Sequence, residues 1–458
     1  MSARFLQIHT LTSYPASLLN RDDAGFAKRM PFGGAVRTRV SSQCLKRHWR
    51  VFDGENNLKD IRIGDSPAPK SIRSRISFQE YIVKPLVKDD QVPEDVALAA
   101  AIKIIGKVFG SEAKIEKAEK NRGRRKTHTA PEVEAAEVAT VPAPVDAATI
   151  DLSAPASPLT GKAAKTEQVT VLGEPELNYL LELAREAIKE GGNEVAKVEK
   201  ALDRRMSEKK MAENIQALKM GGGLGAALFG RMVTGDILAD THAAIHVAHA
   251  VTVHSQMTES DYFSAIDELI REKGEQGSGH INASELTSGL FYGYVVVDID
   301  GLVRNLGDDR NLAADVVEKL VHIIAKVSPG AKLGSTAPYA YSHLVLVEGG
   351  RSQPRTLQNA FLEPVRTQGN VVQNAGQALA EHLDDLDKMY GKTEARVHAG
   401  LGRIGKLFED KSLKLPEEET GKPSEGEIVK LSEDKKSLSE LAQWAKQQVL
   451  ASESQPVT

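Results

Sequence analysis

The side chains best able to do chemistry in this sequence gather near its start. Residues 33 to 50 read Gly-Gly-Ala-Val-Arg-Thr-Arg-Val-Ser-Ser-Gln-Cys-Leu-Lys-Arg-His-Trp-Arg, two glycines leading into alternation and then into helical spacing. Alternation over Arg37, Thr38, Arg39 and Val40 predicts a strand with both arginines on one face. Ser41 or Ser42 can cap the helix that follows, because a serine oxygen accepts from the free N–H groups of a first turn. Leu45, Trp49 and Phe52 recur at i, i+4 and i+7 as an apolar face, while Lys46 and Arg50 lie one turn apart on another. Small hydroxyls, backbone donors at a helix start and cations behind them suit a run of phosphates. The bland alternative is a solvated basic face balanced by acids from elsewhere in the chain.

The local charge favours an anionic partner. The whole chain of 458 residues carries a formal net charge of −4, yet its first fifty residues hold nine lysines and arginines against two acids, Asp22 and Asp23. An excess of that size attracts a polyanion even when the total is negative. Asp22 and Asp23 could bind a divalent metal and support phosphodiester cleavage. No further ligands stand at a suggestive spacing, and an Arg-Asp pair in a loop is more often an ion pair or a turn cap. His242, His246, His249 and His254 raise the same question. On a helix the first two would share a face; read as a strand, His249 falls with Ile245, Val247, Val251 and Val253, and His246 and His254 fall on the opposite face. That scatters them. Cys44 is the only cysteine, which excludes an internal disulfide and a cysteine-based zinc site. Gly221 to Gly225 is not a phosphate-binding P-loop, since no Gly-Lys-Ser/Thr follows. The expectation is a site with no cofactor and no resident metal.

The elements that must position these residues follow from periodicity. With 41% hydrophobic side chains, two or three structural units are expected. No run approaches the roughly 20 apolar residues of a membrane span, and the N-terminus lacks signal-peptide regions, so the expected setting is the cytoplasm, away from membranes. A first strand falls around Phe5 and Ile8. Residues 54 to 75, with a Lys70/Arg73/Arg75 cluster, read as loop. Helices are predicted at Glu94–Val108, at Leu177–Ile188 and over Glu194–Lys219. Between Ser111 and Asn178 there is no Phe, Tyr or Trp, and Pro131–Lys165 is composed like a loosely packed insertion; the basic island Arg122–Lys126 within it could touch nucleic acid or keep a linker solvated. The polar stretch 255–289 lies between two apolar strands, the second at Leu290–Ile299, and so reads as a projecting hairpin. A helix follows over Leu312–Val327, then a strand at Leu344–Val347. Beyond Arg351 the chain reads as helical, with a solvated linker at Glu417–Asp434 and a last helix opened by the Ser437/Glu440 capping box. The sum is an α+β sheet with helices on one face. The ferredoxin-like RRM arrangement is its natural candidate, although no aromatic RNP sequence is visible.

Six segments, in this order and spacing, add a resemblance: Ser17-Leu-Leu-Asn-Arg-Asp-Asp23, Phe32-Gly-Gly34, Arg39-Val-Ser-Ser-Gln-Cys-Leu-Lys-Arg47, Gly230-Arg-Met232, Ala248-His-Ala-Val-Thr252 and Ser288-Gly-Leu-Phe-Tyr292. Over 1–53 and 228–348 the sequence resembles the backbone subunit of the type I-E CRISPR Cascade surveillance complex, the CasC or Cse-type family; the insertion at 111–170 departs from the family pattern. The resemblance implies a right-hand shape: an RRM-like palm from 1–53 and 226–350, a thumb β-hairpin at about 254–289, a helical finger region over 54–225 carrying the flexible insertion, and C-terminal helices over 351–458, with an acidic linker at 411–436, docking on the palm. It implies a non-catalytic subunit whose copies stack head to tail along one CRISPR RNA (crRNA), an open heterologous interface, and hold the backbone so that guide bases stay free to pair with a target DNA strand. The other implied partners are the large, small, CasD-type and CasE-type Cascade subunits. Carried over by position, Arg21, Lys28, Arg29, Arg39, Ser41, Gln43, Lys46, Arg47 and Arg50 match the phosphate-gripping region. Met232 matches a wedge at a displaced base, Phe263 lies in the matching thumb, and Arg231, in the Gly-Arg-Met segment, and Lys332, in the Gly-Ala-Lys turn, are further RNA-binding candidates. Two other readings stay open: a metal-dependent RNA endonuclease using Asp22 or Asp23, and a monomeric single-stranded RNA-binding protein.

Overall fold

The computed structural model describes residues 3–109, 164–166, 168–207, 209–232, 237–238, 240–266, 278–408 and 437–451. In chain order its principal elements are β1 (Phe5–Ser17), β2 (Arg29–Phe32), β3 (Ala35–Val40), α1 (Ser42–Val51), β4 (Ser71–Ser74), α2 (Glu94–Phe109), β5 (Thr170–Gly173), α3 (Glu174–Gly191), α4 (Val195–Met206), α5 (Gly223–Phe229), β6 (Ile245–Val247), β7 (Ala250–Thr252), β8 (Thr258–Ile266), β9 (Ser278–Asp298), α6 (Arg310–Lys326), β10 (Leu344–Gly350), α7 (Val371–Tyr390), β11 (Ala395–Gly400) and α8 (Leu438–Ala451).

The molecule is mixed α+β, organised around β1. β1 pairs antiparallel with β9 on one side and β10 on the other, and the strand order across the main sheet is β11-β10-β1-β9-β7-β3-β2, with β6 and β8 also paired to β9. The pleat explains its central place. Leu6 and Ile8 face Val295, Val297, Val345 and Val347 in a core shared with α6 and α8, whereas Leu11 points the other way with Leu290, Tyr292, Leu344 and Leu346 toward Leu379 and Leu383 of α7. Helices therefore cover both faces, not one. The reason lies in β10, which is apolar on both sides, and in β1, which buries both of its faces; such strands must be covered twice.

Two further segments differ from expectation. Residues 54–75 are not simply loop: they hold a 3-10 turn at Leu58–Asp60, a small hairpin of Arg62–Ile63 with Ser66–Pro67, and β4. β4 pairs with β5 from a point about one hundred residues later and joins the sheet side to a second core built by Phe78, Ile82, Leu86, α2, α3 and α4. The chain beyond Arg351 is not all helix either, since β11 forms an edge of the main sheet. Its hydrophobic alternation is hidden by Arg396 and His398, which are buried with dedicated partners: Glu348 and Asp387 for the arginine, the Gly405 carbonyl for the histidine.

The glycine cluster at 221–225 has a packing role. A Cβ on Gly173 would lie 1.9 Å from the Gly221 oxygen, and Gly223, at φ +76°, brings its backbone against Lys70, whose oxygen would sit 2.3 Å from an added Cβ. Ser71 Oγ donates to Gly222 O (2.6 Å) and accepts from Ala226 N (2.9 Å). β8 and β9 form the expected hairpin, paired from Thr258 opposite Thr287 to Ile266 opposite Ser278; its tip, 267–277, lies outside the described residues. So do most of the 111–170 insertion, including Arg122–Lys126, and the 411–436 linker. Among the described residues no helix is long and apolar enough to cross a membrane.

Candidate nucleic-acid interface

The hairpin β2–β3 sets the site's outer wall. Gly33 (φ +57°) and Gly34 (φ +75°) make its two-residue turn, the conformation that matches the twist of paired strands. Gly33 is also needed for space, because a Cβ there would lie 1.7 Å from the Leu362 carbonyl oxygen. Arg37 and Arg39 do share a face of β3, but their fates diverge. The 357–362 segment folds over Arg37, which is fully buried and donates to the carbonyls of Phe32 (3.1 Å), Thr252 (3.1 Å) and Phe361 (2.8 Å). It fastens three segments together. Arg39 is half-buried and reaches His249, whose Nδ1 accepts from Ser42 N (3.2 Å) and lies 3.4 Å from the Arg39 guanidinium. Burial, with Arg39 and Lys28 nearby, lowers the His249 pKa and holds it neutral. The predicted histidine strand is broken between β6 and β7, so the expected alternation restarts there. Among the described residues no group of three or more His, Cys, Asp or Glu could hold a metal.

α1 carries the cations. Ser41 is its cap: the hydroxyl accepts from Cys44 N (3.3 Å), and Ser41 N donates to Asn20 Oδ1 (2.9 Å). Trp49 is buried in the main core with Leu45 and Phe52 beside it, which fixes the rotation of the helix. Lys46 and Arg50 are thereby turned toward α5 and β4. The Lys46 ammonium stands 5.8 Å from the Phe229 ring, and Arg50 Cδ packs so closely on Gly225 that a Cβ there would come within 3.2 Å. Burial lowers the pKa of Lys46 and Arg73, and Arg73 repels Lys46 further; Arg50 is lowered to about 10 by burial first, then by Arg73 and Arg47. None of Lys46, Arg47, Arg50 and Arg73 has a carboxylate partner among the described residues. Among the described residues, the balancing acids of the bland reading are not paired with these four cations. Cations that repel one another and are partly withdrawn from water gain most from a bound anion. Arg73 was visible in the sequence only as part of a basic loop; its place beside Arg50 depends on the β4–β5 pairing.

The remaining candidates separate by what they touch. Gln43 and Arg47 are exposed on α1. Arg21 bridges Ala27 across the 21–27 loop, and Lys28 is tied through its backbone to Asn20 and Arg39. Arg29 is engaged by Glu285 at the base of the thumb hairpin (2.6 Å), and the same carboxylate accepts from Ala27 N. Asp22 Oδ1 accepts from Ala24 N and Phe26 N, both at 3.0 Å, and so caps its own turn. Arg231 does not face the surface. It forms a bidentate pair with Glu176 (2.6 and 2.8 Å), both side chains being 2% exposed; the arginine that follows Gly230 is an internal tie between the two cores. Met232, one residue on, is 96% exposed. Phe263 stands opposite Asn282 in the hairpin, its side chain lying outside the described residues. Lys332 sits in a half-buried turn pinned by Ala331 N to Leu18 O (2.8 Å).

The sequence matches the CT1975-like protein family from residue 6 to residue 420, and the chain belongs to that family. No curated protein matches it. Its structure is similar to a chain of a CRISPR RNA-guided surveillance complex, pre-nicking, with a TM-score of 0.65 and 25% identity over 87% of this chain and 92% of that one. A chain of another CRISPR RNA-guided surveillance complex shares the fold at a TM-score of 0.55 and 22% identity, with the same coverage.

Proposed function

We propose that this protein is the backbone subunit of a Cascade-type surveillance complex of type I-E, that its copies line up head to tail along a crRNA, and that each holds the RNA's phosphates without reading its bases. The observation that carries this reading is the cluster Lys46, Arg47, Arg50 and Arg73, without carboxylate partners among the described residues and set on a rigid helix. Membership of the family and the likeness to surveillance-complex chains support it. So does the connectivity: β10-β1-β9-β6/β7, with α1 and α6 as crossovers, follows the order of a ferredoxin-like unit, which favours an RRM-like palm with the second core as finger region and β8–β9 as thumb. In this reading the subunit is non-catalytic, works in the cytoplasm, leaves guide bases free for a target DNA strand, and meets the large, small, CasD-type and CasE-type subunits at the ends or along the filament.

Electron microscopy of the protein with single-stranded RNAs of graded length tests it: a scaffold forms ridged filaments whose length follows the RNA. Particles of one size at every RNA length would sink the reading, as would divalent-dependent cleavage of complementary RNA that is lost in Asp22→Ala. In binding assays Lys46→Ala with Arg50→Ala weakens all sequences alike and lowers the salt slope by about one for each phosphate that is no longer neutralised.

A further inference from the structure

The loop joining α6 to β10 is a compact Ω-loop whose ends meet. Ser328 Oγ donates to Ala340 O (3.0 Å) and accepts from Ala340 N (2.9 Å), and Ser342 N donates to Ala325 O (2.9 Å). The loop is filled by its own side chains: a Cβ on Gly330 would lie 2.5 Å from Leu333 Cδ2 and 2.7 Å from Pro338 Cγ, and Thr336 Oγ1 donates to Lys332 O at 2.6 Å. Loops of this construction are frequently functional.

This pinned backbone holds Tyr339 and Tyr341 out in solvent, 72% and 67% exposed, with no hydrogen-bond partner for either hydroxyl among the described residues. Ala340, between them, turns inward onto a small cluster of Tyr14, Leu19, Val40, Ala250 and Phe291, where Cys44 and Leu45 of α1 also pack. Arg47 and Lys28 are the charges nearest in effect to Cys44, and the loop is bonded to Leu18 through Ala331. The two rings, the 18–28 segment and the first turn of α1 thus converge on one rim of the sheet. Arg21, Lys28 and Arg47 have no carboxylate partner among the described residues, so the complementary occupant is a polyanion that also offers flat apolar faces.

We propose that Tyr339 and Tyr341 form a stacking platform for unpaired bases of the single-stranded RNA whose phosphates the α1 cations hold. The proposal rests on the RNA-holding reading above and adds a second, non-electrostatic contact to it. Aromatic rings held in place lose little freedom on binding, and stacking on them tolerates any base, as a sequence-blind grip requires.

Fluorescence anisotropy with labelled oligouridine and oligoadenosine, titrated with the full chain at several salt concentrations, tests this. Y339A/Y341A is expected to weaken both oligomers about tenfold or more with an unchanged salt slope, because every phosphate stays neutralised. Y339F/Y341F keeps wild-type affinity, since the rings remain, and a melting temperature equal to wild type in the alanine pair shows that the fold is intact. Wild-type affinity in the alanine pair, while Lys46→Ala with Arg50→Ala weakens binding, overturns the platform and leaves the phosphate grip standing. Unchanged affinity with loss of assembly on long RNA also overturns it and makes the loop a surface between copies. Absence of RNA binding by the wild type removes both readings.

Discussion

Arg50 and Arg231 are both partly or wholly withdrawn from water, but their charges meet opposite surroundings. Arg231 is paired inside the protein with Glu176, whereas among the described residues the charges acting on Arg50 are those of the cations Arg73 and Arg47. Removing one partner of a buried pair strands the other, at a cost of about 3–5 kcal/mol. Arg231→Met is therefore expected to lower the urea midpoint strongly while the folded fraction binds RNA as wild type does; Arg50→Ala should do the reverse. The buried histidines set a pH dependence. Burial lowers the pKa of His9, more than Glu348 raises it, and it lowers that of His254 likewise. His9 then donates through Nε2 to Glu348 (3.1 Å) and accepts through Nδ1 from the Tyr292 hydroxyl (2.8 Å). Below the ordinary value of 6.5 the unfolded chain takes up protons that the native imidazoles refuse. Their stabilising effect is thus full above that value and is lost as pH falls below it. Burial would raise the Glu348 carboxyl, but the hydrogen bonds of His9 and Arg355 outweigh it and hold it well below 4.5, which adds a second loss in stronger acid. Melting temperature against pH should fall from neutrality toward pH 5, and His9→Gln should flatten that arm; a flat wild-type profile would contradict the assignment.

At the scale of elements, the β2–β3 turn separates two roles of glycine. Gly34 has open space where a Cβ would go, while at Gly33 the Leu362 carbonyl occupies it. Gly34→Ala is expected to cost only the left-handed strain, about 1–2 kcal/mol. Gly33→Ala must also push away the segment that covers Arg37, and thermal melts should rank it clearly as the more damaging of the two. Of the two, only Gly33 serves a close approach within the chain, that of the Leu362 carbonyl. α8 is opened by a capping box in which Ser437 N donates to Glu440 (2.6 Å) and Glu440 N donates to Ser437 Oγ (3.2 Å).

At the scale of the molecule, α8 closes the core under the sheet with Leu441, Trp444, Ala445 and Val449. Burying each large side chain of this set contributes roughly 1.5–3 kcal/mol, and whole domains are stable by only about 5–15 kcal/mol. Deleting residues 437–458 is therefore expected to give an insoluble or unfolded chain, read by circular dichroism and size exclusion; a folded, soluble product would show that α6 finds other cover. On the opposite face, α7 and β11 are locked to the sheet by Glu348, which receives Arg355 (2.7 Å) and Arg396 (2.5 Å), and by the pair of Arg396 with Asp387 (2.6 Å). The helix α1 thus rests on a sheet stiffened from both sides.

Local pattern alone determined the α1 helix with its serine cap and Trp49 anchor, the paired strands bounding the 255–289 hairpin, α6, and the capping box before α8, because each depends on neighbours a few residues apart. It also singled out Lys46 and Arg50 as a cationic face. What it could not decide is which arginines are spent internally. Arg37 is taken by carbonyls more than two hundred residues away, and Arg231 by Glu176 on the other core. Arg73 joins the site, and β11 the sheet, only through pairings of distant segments. A side chain's charge is written in the sequence. Whether that charge meets a partner or is left for a ligand is decided by long-range contacts, and these exist only once the chain is folded.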